Sequence, residues 1–155
     1  MDNAPGAPAV RPATLDAALA TVRAHGLRAS SARRLLLAAL VAAERPIPAE
    51  AIARGLDGRV PPSDVGSVYR NLDALERIGV VRRLLLGHGA ALYTLAGGDD
   101  GGYVACERCG EVRAADPRAL AVVRSAVRAA LGYEAAFTHV PLVGTCSECA
   151  RSHTS

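Results

Sequence analysis

Four cysteines, the only ones in the chain, carry the clearest chemistry in this sequence. They form two C-x-x-C pairs, Cys106 with Cys109 and Cys146 with Cys149, and 36 residues (positions 110 to 145) separate the pairs. Four thiolates in this paired spacing are typical of a tetrahedral zinc site that has no open position for a substrate. Gly110 follows the first pair and can take a backbone conformation that lets both sulfurs converge. The pattern therefore predicts one structural zinc ion per chain.

Two other uses of the cysteines stay open. Disulfides form in oxidising compartments, but residues 1–13 have neither the basic start nor the apolar run of a secretory signal. A redox switch would use the same thiols and would lose the zinc when they are oxidised. Of the three possibilities, the paired spacing favours the zinc site.

Charge is distributed unevenly along the 155 residues. Residues 1–95 hold 12 arginines and 8 acids, whereas residues 96–155 hold 6 arginines and 7 acids, and the chain has no lysine. A basic first half predicts an anionic partner, most commonly nucleic acid. No apolar run approaches the roughly 20 residues that span a bilayer, so we expect a cytoplasmic protein without a membrane partner. No nucleophile–His–acid pattern or phosphate-binding loop is present, which argues against an enzyme.

The chain before the cysteines is predicted to begin with a helical region. Apolar periodicity and capping residues predict helices at about 14–25, 30–43, 49–55 and 64–78, the last capped by Ser63, followed by a β-hairpin at 80–86 and 90–95. In the fourth helix the predicted buried stripe is Val65, Val68, Leu72, Leu75 and Ile78. Its other face carries Ser67, Arg70 and Asn71, with Tyr69 at the border, as a helix that reads the major groove requires. Residues 14–95 therefore predict a winged helix-turn-helix domain.

The cysteines lie in a second, smaller region. Residues 96–102 are rich in Gly and Asp and predict a hinge, and residues 103–150 predict strands at 103–105, 112–114 and 134–143 around a helix at 117–131. The predicted buried stripe of that helix is Leu120, Val123, Val127 and Leu131. About 50 residues are few for an independent core, so we expect a zinc-pinned homodimer. The fold class is thus α+β, a winged helix plus an α/β dimerisation domain, with tails at 1–13 and 151–155.

Short motifs along the chain resemble those of the ferric uptake regulator family, which are metal-responsive bacterial repressors. The motifs are Gly26-Leu27-Arg28 with Arg33, S-V-Y-R-N-L at 67–72, C-E-R-C-G at 106–110 and G-T-C-S-E-C at 144–149. The resemblance covers about residues 14–150, nearly the whole chain. It implies a homodimeric repressor that binds a palindromic operator in double-stranded DNA.

The resemblance also implies roles for individual residues. By position, Tyr69 matches the family tyrosine that packs on thymine, Arg70 the arginine that holds phosphate, and Arg28 a basic residue that reaches the minor groove. Ser67 stands where threonine is commoner. The chemistry of the residues agrees, because arginine neutralises phosphate and Ser67, Tyr69 and Asn71 can contact base edges.

The sequence departs from the family where the family usually senses metal. A run of the form H-H-x-H-x-x-C normally precedes the first cysteine pair, but here the matching residues are Asp100, Gly101, Gly102 and Tyr103. Other usual ligand positions hold Thr94, Ala121 and Thr138, and His139 is one residue away from the last of these. His88 and His139 remain as weak candidates for a regulatory site.

We therefore expect a DNA-binding repressor in which metal sensing is altered or absent, and a second metal stays unassigned. The alternative is a redox-responsive zinc–thiolate regulator or interaction protein in which the four cysteines are the sensor. The effector could be a metal, peroxide, haem or none.

Overall fold

The computed structural model describes residues 14–87, 89–97, 101–137 and 139–152. The described residues form two compact units, an N-terminal unit within Pro12–Gly98 and a C-terminal unit within Asp99–Ser155, and each is described separately below. Residues 1–13 and 153–155, predicted to belong to the tails, lie outside the described residues, as do residues 98–100 of the predicted hinge. No helix of the described residues is long and apolar enough to cross a bilayer.

The N-terminal unit contains five helical segments and three strands among the described residues. These are α1 (Leu15–Ala24), α2 (Ser31–Ala42), β1 (Ile47–Pro48), α3 (Ala49–Ala53), α4 (Gly55–Gly58), α5 (Val65–Arg77), β2 (Val81–Leu84) and β3 (Leu92–Leu95). The hydroxyls of Thr14 and Ser30 cap α1 and α2 by accepting backbone N–H groups. The strands pair antiparallel in the order β1-β3-β2, so the hairpin of β2 and β3 gains a third strand that the sequence did not predict.

The core of this unit forms where α1, α2, α3 and α5 pack together with the sheet. From α5 it receives Val68, Leu72 and Leu75, which are buried as predicted, while Ile78 packs against the core and is partly buried. Val65 is 43% exposed, so its predicted burial is wrong. Val65 is the first residue of α5 and lies at the exposed end of the helix, next to the exposed cap residue Asp64.

The start of α5 also differs from the prediction. Asp64, rather than Ser63, caps the helix, because its carboxylate accepts the N–H of Ser67 at 2.7 Å. A carboxylate at this position is favoured twice, by the hydrogen bond and by the positive end of the helix dipole.

The segment between α3 and α5 is a tight left-handed turn instead of the predicted end of a helix. All four residues of α4 have positive φ, including Leu56 (51°) and Asp57 (56°). Gly55 is required there, because a Cβ atom on it would lie 2.1 Å from the backbone oxygen of Val60. A left-handed conformation costs about 1–2 kcal/mol for each non-glycine residue. Leu56 packs against the core, which offsets part of this cost.

The C-terminal unit contains β4 (Tyr103–Cys106), β5 (Val112–Ala114), α6 (Pro117–Leu131), β6 (Leu142–Gly144) and α7 (Ser147–Arg151). The strand order is β5-β4-β6, with β4 antiparallel to β5 and parallel to β6. Asp116 caps α6 with Pro117 in its first turn, and Gly132 ends it at φ 69°, which matches the predicted bounds.

Two predictions for this unit are wrong. The strand predicted at 134–143 is only three residues long, at Leu142–Gly144, and the side chain of Glu134 instead pairs with Arg128 of α6. The predicted buried stripe of α6 is buried only at Leu120, whereas Leu131 is 68% exposed. Leu120 packs near Gly102 and Phe137 at the start of the helix, and the short sheet leaves the rest of the stripe partly or fully exposed in a single chain.

Candidate metal centre and nucleic-acid interface

Parallel pairing of β4 with β6 brings the two cysteine pairs together. Cys106 is the last residue of β4 and lies opposite Gly144, the last residue of β6. Because parallel strands end at the same edge of a sheet, the residues that follow both strands must converge there. The N–H of Glu107 donates to the Gly144 carbonyl at 2.9 Å and extends this pairing to the first cysteine turn.

The four predicted ligands form one cluster. Their Sγ atoms all lie within 4.8 Å of one another, and those of Cys109 and Cys146 are 3.9 Å apart. Zinc–sulfur bonds of 2.3 Å in a tetrahedron place sulfurs about 3.8 Å apart. All four cysteines are free thiols. Their donor type and spacing fit a zinc ion, and no other group of three or more such ligands occurs among the described residues.

Local backbone geometry holds each pair in this arrangement. Gly110 donates its N–H to the Cys106 carbonyl at 2.9 Å, and its φ of 74° closes the first turn. Cys146 is the N-cap of α7, so the helix turn places Cys149 on the same side. Arg108 donates to the Cys149 carbonyl at 3.1 Å and links the two pairs.

The electrostatics of the cluster favour a bound cation. The backbone N–H of Cys146 donates to Sγ of Cys106 at 3.3 Å and, with further N–H groups, lowers the pKa of Cys106 to about 6. The thiol hydrogen bond with Cys146 raises the pKa of Cys149 to about 12. One thiolate therefore forms readily, whereas ionisation of Cys149 is opposed by its hydrogen bond with Cys146, by burial and, less strongly, by repulsion from the charge of Cys106. A divalent cation relieves that repulsion.

Exposure differs among the thiols. Cys106 is buried, Cys146 and Cys149 are half-buried, and Cys109 is exposed. The cluster is therefore open to solvent on the side of Cys109.

The predicted DNA-reading residues share the outer face of α5, with Tyr69 and Arg70 exposed and Ser67 and Asn71 half-buried. The amide nitrogen of Asn71 donates to the Ser67 carbonyl at 2.9 Å, so this donor is used within the helix. Arg70 lies 4.0 Å from the Asp64 carboxylate, and both side chains are more than 70% exposed. A pair that exposed holds Arg70 only weakly.

Tyr69 has a partner that the sequence did not predict. Its hydroxyl donates to Oε1 of Glu50 at 2.7 Å, across the packing of α3 against α5. This bond lowers the pKa of Glu50 and raises the pKa of Tyr69. The two residues are 19 positions apart, so only the packing of the two helices could reveal the contact.

Arg28 lies in the turn between α1 and α2 with an exposed side chain. Its carbonyl accepts two hydrogen bonds, from Nη1 of Arg33 at 2.6 Å and from the N–H of Ser30 at 2.9 Å. The backbone of Arg28 is therefore anchored to the start of α2 while its side chain projects outward.

The weak regulatory candidates do not form a site in the described residues. His139 is exposed and does not belong to the thiol cluster. His88 lies outside the described residues, as do Asp99, Asp100 and Thr138. The positions where the family resemblance would require histidines lie at or just before β4. They are occupied by Gly101, Gly102 and Tyr103, none of which has a metal-binding imidazole.

Known proteins with the same pattern identify this architecture. The ferric uptake regulator family matches residues 24–141. The chain is 26% identical over 137 residues to the peroxide operon regulator of Bacillus subtilis, with 88% of this chain and 94% of that protein covered. It is 22% identical to the peroxide-responsive repressor PerR of Staphylococcus epidermidis, with 87% and 89% covered.

Solved structures agree on the fold. The ferric uptake regulator of Helicobacter pylori, for which three functional metal binding sites are described, aligns with a TM-score of 0.69 at 21% identity, covering 93% of this chain and 99% of that one. The Pseudomonas aeruginosa regulator with manganese aligns with a TM-score of 0.63 at 26% identity, covering 83% and 97%. The predicted α+β fold is thereby confirmed.

Proteins of this kind are transcription regulators and not enzymes, as the sequence predicts for this chain. The family pattern spans well over half of the sequence, and the curated relatives match along most of their length. The chain therefore belongs to the ferric uptake regulator family.

Proposed function

We propose that this chain is a zinc-stabilised, homodimeric repressor that binds a palindromic operator and whose metal sensing is altered or absent. The observation that carries the proposal is the outer face of α5, where Tyr69 and Arg70 are exposed above a firmly packed helix. Leu72 and Leu75 on the opposite face are fully buried and fix the orientation of the helix. A rigid helix with an exposed tyrosine and arginine suits recognition of base edges and phosphates. The protein would act in the cytoplasm, where promoter DNA lies.

The thiol cluster supports one structural zinc per chain. Cys106, Cys109, Cys146 and Cys149 would hold the ion, which would supply a four-way cross-link between the ends of β4 and β6. Four thiolates complete the tetrahedron, so this site has no position for an effector.

Exposed apolar side chains support the homodimer. The C-terminal unit has few buried side chains, yet several large apolar ones are exposed: Val122, Leu131, Tyr133, Val140 and Val143. Large apolar surfaces are characteristic of subunit interfaces, and two-fold pairing of the same surface is the commonest solution. A dimer would present two copies of α5 to two half-sites, which is why a palindromic operator is expected.

The proposal that metal sensing is altered or absent rests on the residues before the first cysteine pair. Where the family resemblance would require histidines, this chain has Asp100, Gly101, Gly102 and Tyr103. The second candidate is a redox-responsive zinc–thiolate regulator, and the exposure of Cys109 favours it because oxidants can reach the cluster. Peroxide is the first non-metal input to test, since the curated relatives are named for their response to it.

The test is elemental analysis of the purified protein together with titration of DNA selected by the protein from a random duplex pool. One zinc per chain, with binding unaffected by added Fe²⁺, Mn²⁺ or Zn²⁺, is the expected result. Two metals per chain and binding that requires the second would contradict the loss of metal sensing. Loss of DNA binding and release of zinc after peroxide treatment would favour the redox candidate. No enrichment of any sequence from the pool would refute sequence-specific binding.

A further inference from the structure

The contact between Tyr69 and Glu50 joins two helices at the surface proposed to read DNA. Tyr69 projects from α5, and Glu50 belongs to the first turn of α3. The hydroxyl-to-carboxylate distance is 2.7 Å, while Tyr69 stays 40% exposed. The ring is thus tethered at its tip and still accessible to a partner.

We propose that Glu50 is a positioning residue for DNA recognition, which holds the Tyr69 ring in its reading orientation before DNA arrives. The inference rests on the proposed function, because it assigns a role within the same surface. A side chain that is ordered beforehand loses less conformational freedom on binding, so the complex is tighter.

A carboxylate is a surprising choice at such a surface, since it repels phosphate. The surrounding charges reduce this repulsion. Arg54 interacts with Glu50 from the end of α3, and Arg83 of β2 lies close enough to interact with Tyr69. Tyr93 of β3 also interacts with Tyr69 and is itself buried. Arg54 therefore offsets part of the negative charge of Glu50, while the carboxylate accepts the hydrogen bond from the Tyr69 hydroxyl.

Glu50 should consequently have two effects of opposite sign. Its negative charge weakens binding to every DNA duplex, through repulsion of phosphate. Its hydrogen bond to Tyr69 strengthens binding only to the sequence that Tyr69 contacts. The ratio of specific to non-specific affinity separates the two effects, because charge alone changes both affinities together.

Two substitutions distinguish these effects. Glu50→Gln removes the charge but keeps an oxygen that can accept a hydrogen bond from the Tyr69 hydroxyl, whereas Glu50→Ala removes both. Glu44→Ala is the matched control, since Glu44 is another exposed acid of the same unit, located between α2 and β1. Tyr69→Phe and the double variant Glu50→Ala/Tyr69→Phe complete a double-mutant cycle.

The measurement is fluorescence anisotropy of the full-length protein with two labelled duplexes at fixed salt. One duplex is selected by the wild-type protein from a random pool, and the other is a shuffled version of it. Thermal unfolding of each variant confirms that the fold is retained.

We expect Glu50→Ala to lower the specific-to-shuffled affinity ratio about two- to tenfold, and Glu50→Gln to leave it within about twofold of wild type. In the Tyr69→Phe background, Glu50→Ala should cause no further loss of the ratio. Glu44→Ala should leave the ratio unchanged.

An unchanged ratio for Glu50→Ala, or losses that add fully in the double variant, would overturn the positioning role while leaving the proposed function intact. If the wild-type protein enriched no sequence from the pool, the proposed function would fail and the inference would fail with it. The selection step therefore tells the two failures apart.

Discussion

If the thiol cluster binds the proposed zinc ion, removal of that ion should unfold the C-terminal unit and leave the N-terminal unit folded. The thiol cluster closes a loop of 36 residues between Cys109 and Cys146. All four sulfurs come from the C-terminal unit, and the N-terminal unit contains no cysteine. The two units should therefore respond differently to a chelator.

The size of the stabilisation that the metal would give to the C-terminal unit follows from the length of the closed loop and from the small core. In the chain-entropy model for cross-links, closing a loop of this length stabilises the folded state by about 4 kcal/mol, and structural zinc contributes roughly 10–16 kcal/mol in small domains. The large buried apolar side chains described in this unit are Val112, Leu120 and Phe137. Since a whole domain is stable by about 5–15 kcal/mol, the metal would supply as much free energy as the folded state possesses. The N-terminal unit instead has a core drawn from all of its longer helices.

Hydrogen exchange measured by mass spectrometry checks this prediction peptide by peptide. The protein is treated with a strong zinc chelator under reducing conditions, and metal loss is verified by elemental analysis. Peptides from β4, β6 and α6 should lose protection by a factor of at least about 100, which corresponds to about 2.7 kcal/mol, while those from α2 and α5 keep theirs. Cys109→Ser should reproduce the effect without a chelator, and Ser147→Ala, at a non-ligand position of α7, should not. Full protection of β4 and α6 in metal-free protein would refute the reasoning.

Three further predictions concern packing, charge and pH. Leu72→Ala should destabilise the N-terminal unit by about 2–5 kcal/mol in urea unfolding, because Leu72 is completely buried, whereas Val65→Ala should cost less than about 1 kcal/mol. Similar costs for the two would contradict the burial pattern of α5. Arg70→Ala should weaken binding to all duplexes and reduce the slope of log affinity against log salt by about 0.9, if Arg70 contacts one phosphate. An unchanged slope would exclude that contact. The ion pair with Arg128 lowers the pKa of Glu134 from 4.5, so its contribution to stability is present above that value and is lost as the pH falls through the lowered pKa. The free energy of unfolding of Glu134→Gln should therefore fall less than that of wild type between about pH 5 and pH 2, and identical curves would contradict this assignment.

Much of the fold followed from local signals. The bounds of α6 were predictable because Asp116, Pro117 and Gly132 mark its ends with distinct chemistry. The burial of Leu72 and Leu75 was predictable from their spacing. The convergence of the four cysteines was predictable because two C-x-x-C pairs are typical of chains whose four sulfurs meet at one point.

The parts that could not be predicted depend on contacts between distant residues. Strand β1 exists only because Ile47 and Pro48 pair with β3 more than 40 residues later. The positive φ angles of Leu56 and Asp57 contradict local preference, and at Leu56 they are accompanied by packing of the side chain against the core. The hydrogen bond between Glu50 and Tyr69 could not be predicted, because it depends on the packing of α3 against α5.

The parallel pairing of β4 with β6 also has a consequence for the nascent chain. Cys146 follows Cys106 by 40 residues, which at about 5–20 residues per second is a delay of about 2–8 s during synthesis. The last strand of the N-terminal unit ends at Leu95, so the elements of that unit have all been synthesised before the first thiol appears. During the delay, Cys106 and Cys109 form half of a ligand set without their partners. If the cluster binds the proposed zinc ion, a soft metal or an oxidant that reacts with this first pair during the interval would compete with formation of the complete four-sulfur site.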